Sequence, residues 1–422
     1  MRPHYLAFVC CLLFGCSENS PAVKEEPFTV VVLPDTQNAV DFNRQKAEGF
    51  AIDSAEIFIG QMQHISERAI SNGGSVVFVA SVGDVWQHVT SSADPEHTAR
   101  GIVAEPGTTS RHVQPDGVLN FELPKAIEGY EILDDAGIPF GVAPGNHDYD
   151  AWWTVAGSEP GPRGRSPSHV GGLDNFRVAF GSNTDFYRNK DWYVGSFDGG
   201  ANSAQVFSAG GYQFLHLALE MQPGDDVLAW AGSVAAEYPG LPTIVTTHDY
   251  LNPRGERMHN GGLDLATVDP TNHNSAEDLW RDFISATDQI FMVLCGHQDG
   301  QALRVDKNDF GHDVYQILSD YQDRGQAGLD AGQPLGRTGS ISGIGDGWFR
   351  EMIFYVNGDN ARVDIRTFSS HYRNYSNDLE TYAAWYKEHE KPDMSDEQFL
   401  DADQYTISLT DFRARFGAPA RD

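Results

Sequence analysis

The body of this chain contains very little cysteine. Three of the four cysteines, Cys10, Cys11 and Cys16, lie near the N-terminus, and only Cys295 follows them. A single cysteine cannot form an internal disulfide, so a disulfide framework is excluded for the body of the chain. We expect Cys295 to be buried and unreactive, because it ends the strongly apolar run Ile290–Cys295.

Positive charge is also scarce. The 422 residues include 29 Lys and Arg but 60 Asp and Glu, which gives a formal net charge of -31. Binding that depends on neutralising many phosphates needs a broad basic surface, so we expect no nucleic-acid-binding surface. A small phosphate substrate is not excluded, because bound metal ions can reverse the sign of the field inside a pocket.

The apolar run at the N-terminus, residues 6–14, is too short to cross a bilayer as a helix. It follows a positively charged start and has the length of the apolar part of a signal peptide. The adjoining Leu13-Phe14-Gly15-Cys16 resembles the lipobox of bacterial lipoproteins, in which the cysteine becomes the lipidated first residue. We therefore expect a lipoprotein-type signal peptide at 1–16 and a polar tether at 17–27. A plain secretory signal is the alternative.

These N-terminal features predict an extracytoplasmic location, either periplasmic or on the cell surface. The lipid on Cys16 would be the only contact with the membrane.

The rest of the chain has the composition of a folded protein. A hydrophobic content of 40% is sufficient for a substantial core, in one large domain or two ordinary ones. Apolar runs rich in β-branched residues predict strands at 28–33, 76–80, 138–143, 212–220, 242–247, 290–295, 313–318, 348–356, 361–368 and 405–409. Helical spacing predicts helices at 54–70, 120–136, 225–238 and 379–388, and a capping box at Ser275 opens another to about 285.

Polar side chains follow five of the predicted strands. In chain order they are Asp35 with Gln37, Asp84, Asn146 with His147 and Asp148, His248, and His297 with Asp299. Gly-Asn-His-Asp alone is also a common turn sequence. However, the carboxyl ends of strands in open α/β sheets share one edge, so we expect these side chains to converge. Oxygen and imidazole donors together are the ligands that a pair of divalent cations requires.

The order of these motifs resembles the calcineurin-like metallophosphoesterase family, whose pattern is Asp-x-His, Gly-Asp, Gly-Asn-His-Asp/Glu, a lone His and Gly-His-x-His. The resemblance covers roughly residues 28–370. It implies an α/β fold, a β-sandwich flanked by helices, on which 371–422 would pack as a C-terminal extension. It also implies a hydrolase with two divalent metal ions, Mn, Mg, Ca, Fe or Zn. The expected reaction is hydrolysis of a phosphate mono- or diester by a metal-bound hydroxide.

The same resemblance implies a role for each residue. Asp84 would bridge the metals, while Asn146, His248 and His297 would complete the second metal's ligands. His147 would act on the leaving-group oxygen as a general acid or electrostatic stabiliser, oriented by Asp148. Asn146 and His147 would also bind the substrate.

Two positions depart from the family pattern. Gln37 and Asp299 stand where the family usually has histidines, and both belong to the first metal's ligands. With Asp35 and Asp84 they would form an all-oxygen site, which suits Mg²⁺, Mn²⁺ or Ca²⁺ rather than zinc or iron. The departures also keep an alternative open, a noncatalytic protein that binds phosphate esters on the same scaffold.

Several other polar residues match no family position. We assign no role to His88, His216 and His312, and we interpret His216 as a core histidine with satisfied hydrogen bonds. Arg163 and Arg165 lie in a predicted loop, 157–172. They are either solvated or in contact with an anionic substrate.

Overall fold

The computed structural model describes residues 27–105, 110–159, 167–259, 262–358 and 360–419. The predicted signal peptide, Cys16, the tether up to residue 26, Arg163 and Arg165 lie outside the described residues. Within the described ranges, no helix combines the length and the apolar character needed to cross a membrane.

The strands of the described residues form two seven-stranded sheets and one two-stranded sheet. In chain order they are β1 (Phe28–Leu33), β2 (Val76–Ser81), β3 (Phe140–Val142), β4 (Ala151–Thr154), β5 (Ser168–Gly171), β6 (Tyr193–Phe197), β7 (Asn202–Ala209), β8 (Tyr212–Ala218), β9 (Thr243–Thr246), β10 (Ile290–Cys295), β11 (Gly300–Lys307), β12 (Asp313–Asp320), β13 (Trp348–Tyr355), β14 (Arg362–Ser369), β15 (Asn374–Tyr375) and β16 (Tyr405–Ser408).

The α-helices of the same residues are mostly short. They are Gln37–Val40, Ser54–Glu67, Pro95–Ala99, Pro115–Gly117, Leu123–Asp135, Asp174–Phe180, Asp225–Glu237, Leu265–Val268, Ala276–Leu279, Gln326–Asp330, Tyr382–Glu390, Asp396–Asp403 and Phe412–Phe416. Two π-helical turns, Val118–Glu122 and Trp280–Ile284, adjoin Leu123–Asp135 and Ala276–Leu279.

Each large sheet contains a run of parallel strands. The first sheet has the order β15-β14-β13-β1-β2-β3, with β16 also paired to β14, and β1, β2 and β3 run parallel. The second has the order β11-β12-β10-β9-β8-β7-β6, and β8, β9, β10 and β12 run parallel. Parallel neighbours end at the same edge of a sheet, so the segments that follow them are brought together.

The two sheets pack face to face. Val30 and Phe78 from the first sheet share a buried cluster with Phe214, Ile244 and Met292 from the second. This packing forms a β-sandwich, because each sheet buries one face against the other.

Helices cover the outer face of each sheet. Val31 packs with Phe58 of Ser54–Glu67, and Val245 packs with Ala231 of Asp225–Glu237. Because successive strand residues point to opposite faces, a central strand such as β1 is apolar on both. The predicted class, an α/β fold with a β-sandwich flanked by helices, is confirmed.

The predicted elements differ from the structure mainly outside the parallel strands. The predicted loop 157–172 contains β5, which pairs with β4 and not with either large sheet. β11 is an edge strand whose exposed alternate residues include Leu303 and Val305, and the polar residues beside them leave its sequence without an apolar run. The predicted helix 120–136 begins with the π-helical turn Val118–Glu122.

The segment after residue 370 contacts the sandwich directly. β16 pairs with β14, and Ile407 and Phe412 lie in the core between the sheets. The domain boundary at 370 stays a prediction.

Candidate metal centre

The predicted site residues lie just beyond the carboxyl ends of parallel strands from both sheets. Asp35 follows β1, Asp84 follows β2, Asn146 follows β3 and His248 follows β9, and all four are at most 3% exposed. His297 follows β10, and its side chain is 7% exposed. Burying this many polar groups together is costly unless each finds a partner or a ligand.

Two of these residues have unusual backbone conformations. Asp84 has φ 49° and His297 has φ 69°. Residues other than glycine rarely adopt positive φ, and such conformations cluster at functional sites. The turns after β2 and β10 are therefore shaped to direct these side chains.

His248 lies between two oxygen atoms. Its Nε2 is 3.2 Å from Asp84 Oδ1 and 3.2 Å from Asn146 Oδ1. Its Nδ1 donates to the Val82 carbonyl at 2.7 Å, so in the neutral ring Nε2 carries a lone pair. Two oxygens facing that lone pair are repelled unless a proton or a cation lies between them. The Asp84–His248–Asn146 arrangement therefore fits a cation.

The ionisation of His248 reflects the same geometry. Burial lowers the pKa of His248, but the Asp84 carboxylate outweighs burial and raises that pKa to about 9. Without a metal, a proton on Nε2 takes the cation's place.

His297 completes this group of donors. Both of its ring nitrogens are buried without a hydrogen-bond partner in the described residues, and its ring centroid lies 4.9 Å from that of His248. Asp84, His248 and His297 can each offer one ligand atom, and these atoms lie within 4.8 Å of one another. Burial lowers the pKa of His297 to about 4, which keeps the imidazole neutral, as a metal ligand must be.

Asp35 and Gln37 supply further oxygen atoms near Asp84. Asp35 Oδ2 accepts from the His297 backbone N–H at 3.0 Å, while Asp35 Oδ1 has no hydrogen-bond partner in the described residues. Gln37 Nε2 donates to Asp84 Oδ2 at 3.3 Å, and Gln37 Oε1 is also without a partner there. Burial and then the charges of Asp320 and Asp84 raise the pKa of Asp35 well above its ordinary value. A divalent cation would relieve this repulsion.

The sequence analysis missed two residues of this group, Asp320 and Gln322. Asp320 ends β12, which runs parallel to β10, and its two oxygens accept from the backbone N–H and Nε2 of Gln322 at 3.0 and 2.9 Å. Gln322 also hydrogen-bonds Gln37. The sequence did contain a signal, because Asp320 is a carboxylate two residues after the apolar end of the predicted strand, Leu318. The predicted strand ended at 318, two residues too early.

Asp299 lies at the edge of the buried group, close enough that its charge raises the pKa of Asp35 and that burial and then the charge of Asp320 raise its own pKa. It is exposed, and its side chain shares a hydrogen bond with Asp323. Its role as a metal ligand stays a prediction.

His147 is held from two directions. Its backbone N–H donates to Asp84 Oδ1 at 2.8 Å, and its Nδ1 donates to the Gln87 carbonyl. Its ring meets Trp152 edge to face, with centroids 4.7 Å apart. Burial lowers the pKa of His147.

Both oxygens of Asp148 are used by backbone amides. Its Oδ1 accepts from the Val85 N–H and its Oδ2 from the Gly145 N–H, both at 2.8 Å. Asp148 therefore fixes the backbone at Val85 and at Gly145, because each of its oxygens accepts from one of these two amides. Its predicted role in orienting His147 stays a prediction.

Comparison with known proteins adds little to this description. No family model matches the chain. The chain is 26% identical over 261 residues to Uncharacterized protein YvnB of Bacillus subtilis (strain 168). The aligned region covers 60% of this chain but only 16% of that protein. The crystal structure of calcineurin-like phosphoesterase YfkN from Bacillus subtilis aligns with 78% of this chain and 85% of that chain. The alignment has a TM-score of 0.32 and 10% identity, and a likeness of this size carries no functional conclusion.

Proposed function

We propose that the protein is a metal-dependent hydrolase of phosphate mono- or diesters. The proposal rests on the buried group Asp84, His248 and His297, whose possible ligand atoms lie within 4.8 Å of one another. These are positions that the motif resemblance assigns to the metal centre. The unpartnered oxygens of Asp35 and Gln37 support a second cation beside the first.

Divalent cations held by these residues would supply a nucleophile near neutral pH and positive charge for the phosphate oxygens. The chain's own part is to orient the groups around them. Asp84 Oδ1 accepts from the His147 N–H, and Asp84 Oδ2 accepts from Gln37 Nε2. These hydrogen bonds fix the carboxylate, so that Oδ1 lies beside His248 and Oδ2 beside Gln37.

His147 would act on the leaving group. Its Nδ1 is committed to the Gln87 carbonyl, which leaves Nε2 for the substrate. A phosphate ester brought beside Nε2 adds negative charge, and negative charge favours the protonated imidazole that a general acid requires.

Gln37 supports a second candidate function, binding without turnover. Its amide donates to Asp84 and is hydrogen-bonded with Gln322, so these groups partly satisfy one another without a cation. A protein that held a cation only at Asp84, His248 and His297 would bind a phosphate ester and leave it intact.

The test is hydrolysis of chromogenic phosphate mono- and diesters by the metal-loaded protein. We expect Asp84→Ala and His147→Ala to lower kcat/KM by roughly 100-fold or more. His312→Ala is the matched control, because His312 precedes β12 at the end opposite Asp320. Equal activity in all four proteins contradicts the proposal. Tight binding of the ester with no turnover under any divalent metal supports the binding protein instead.

A further inference from the structure

A second group of histidines lies outside the candidate metal centre. His97, His169, His273 and Asp269 can each offer a ligand atom, and these atoms lie within 4.8 Å of one another. They come from three separate segments: the helix Pro95–Ala99, strand β5 and the loop after Leu265–Val268.

Among these residues, His169 gives the clearest indication of a bound ligand. It is 0% exposed, and its Nε2 has no hydrogen-bond partner among the described residues. A buried imidazole nitrogen without a partner is costly. A ligand on Nε2 would remove that cost.

The other nitrogen of each ring is already used. His97 Nδ1 lies 2.6 Å from Asp94 Oδ2, His169 Nδ1 lies 2.6 Å from the Val170 carbonyl, and His273 Nδ1 lies 3.0 Å from the Gln222 carbonyl. Each Nδ1 therefore donates, and each neutral ring keeps a lone pair on Nε2. Metal-bound histidines have this arrangement, with the second nitrogen donating to a carboxylate or a backbone carbonyl.

The buried histidines His216 and His88 lack this pattern, and His259, which shares it, has no second imidazole grouped with it among the described residues. Both ring nitrogens of His216 are satisfied, by Gln205 at 2.7 Å and Thr246 at 2.8 Å, which confirms its interpretation as a core histidine. His88 is paired with Glu122 at 2.7 Å, and no second imidazole joins that pair in the described residues. Convergence of three imidazoles is thus not a general consequence of burial in this protein.

One neighbouring charge must be accommodated by a bound ion. The Arg100 guanidinium lies 2.7 Å from Asp269 Oδ2, the same oxygen that lies 4.0 Å from His97 Nε2. Zinc would therefore share this carboxylate with Arg100.

We propose that His97, His169, His273 and Asp269 bind one Zn²⁺ ion at a site separate from the candidate metal centre. Three imidazole nitrogens and one carboxylate oxygen are a suitable tetrahedral set for zinc. Tetrahedral ligand atoms at zinc distances are about 3.3 Å apart. His97 Nε2 and Asp269 Oδ2, 4.0 Å apart, therefore approach each other slightly when the ion binds.

The packing around the site leaves room for the ion to enter but little for the rings to move. His97 and His273 line an open cavity of about 920 Å³, which connects the site to solvent. On the other side, a Cβ at Gly171 would lie 2.6 Å from His97 Nδ1, so only glycine lets β5 approach this ring.

The ion would have a structural role. It would join the three segments and hold the β4–β5 hairpin, whose Trp153 packs against His169 with centroids 5.2 Å apart. The neighbouring Trp152 points to the opposite face of β4, where it meets His147. Zinc at this site would therefore stabilise the surface that positions His147.

The experiment measures zinc per chain after dialysis against limiting zinc. The background is the full chain with Asp84→Ala and His248→Ala, which removes ligands of the other centre. We expect the background to retain one zinc, and His312→Ala added to it to retain the same amount. Adding His169→Ala or His273→Ala should lower the zinc bound per chain to less than one tenth of the background value. No zinc in the background, or equal zinc in all variants, overturns the proposal.

A milder variant guards against misfolding. Asp94 caps the helix Pro95–Ala99 through the His97 N–H and also binds His97 Nδ1. Asp94→Asn keeps the cap, because asparagine caps helices as well as aspartate does, but removes the charge behind His97. We expect zinc to bind about 10- to 100-fold more weakly, with an unchanged circular dichroism spectrum. Unchanged zinc affinity contradicts a ligand role for His97.

Discussion

At the residue scale, the candidate metal centre depends on competition between a proton and a cation. His248 Nε2 faces Asp84 and Asn146 oxygens at 3.2 Å each, and the Val82 carbonyl fixes its tautomer. Either species satisfies both oxygens, but a divalent cation also offsets the charge of Asp35. Metal binding must therefore release the proton of His248.

This competition predicts the pH dependence of the metal-free protein. Its His248 pKa is raised from 6.5 to about 9. A raised pKa means that protonation stabilises the fold fully below pH 6.5 and that this stability is lost as pH rises through about 9. The loss is on the order of 3 kcal/mol. Chelated wild type should lose stability over this window in urea unfolding, and His248→Asn should lose much less. Equal slopes in the two proteins contradict the assignment.

Gly145 is a second test at this scale. A Cβ there would lie 2.2 Å from Asp84 Oδ1 and 2.6 Å from the Asp84 backbone nitrogen. We expect Gly145→Ala to displace Asp84, to cost about 1–3 kcal/mol from overpacking and to reduce bound metal. Gly232→Ala is the matched control, since Gly232 lies in the helix Asp225–Glu237 with no atom within 4 Å of the added Cβ. Full metal retention in Gly145→Ala would show that the Asp84 turn adapts.

At the element scale, the C-terminal segment is part of the sandwich core. β16 pairs with β14, and Phe412 of the helix Phe412–Phe416 is 2% exposed. Its ring meets those of Phe214 and Phe291 at centroid distances of 6.3 and 5.5 Å. These contacts bind the end of the chain to the second sheet, while β16 binds it to the first.

This packing predicts a large effect of removing one ring. Phe412→Ala should lower the free energy of unfolding by about 3–5 kcal/mol, because it leaves a cavity between the sheets. Val178→Ala, at a residue 63% exposed, should change it by less than about 0.5 kcal/mol. Chemical unfolding of both variants measures the difference. Similar stability in the two would show that the segment contributes little to the core.

At the scale of the whole molecule, we expect the N-terminus to set the location of the protein. A single acyl chain gives only marginal membrane binding, so firm anchoring needs a second lipid chain or a polybasic segment. The lipobox resemblance at Cys16 is the basis for expecting such an anchor.

We predict that the full-length protein sediments with membranes when it is produced in a bacterium that processes lipoproteins. Cys16→Ser removes the thiol that would carry the lipid, so it should release the protein or block its processing. Immunoblotting of membrane and soluble fractions for both proteins is the measurement. Wild-type protein found wholly in the soluble fraction would support the plain secretory signal.

Much of the site was predictable because its signals are local. Asp35, Asp84 and His248 each follow a buried parallel strand within three residues, and parallel strands end at a common edge. The apolar runs themselves predicted β1, β9 and β10 to within a residue, because strands buried on both faces are apolar throughout.

The tertiary structure alone decided the features that depend on distant pairing. The order of strands joined β12 to β10 and so brought Asp320 beside Asp35. Tertiary packing also placed the backbone N–H groups of Val85 and Gly145 against the two oxygens of Asp148. The histidines of the proposed zinc site come from segments far apart in the chain, so no spacing in the sequence marks them. A sequence records which groups follow a strand, whereas contacts between separate segments exist only once the core has packed.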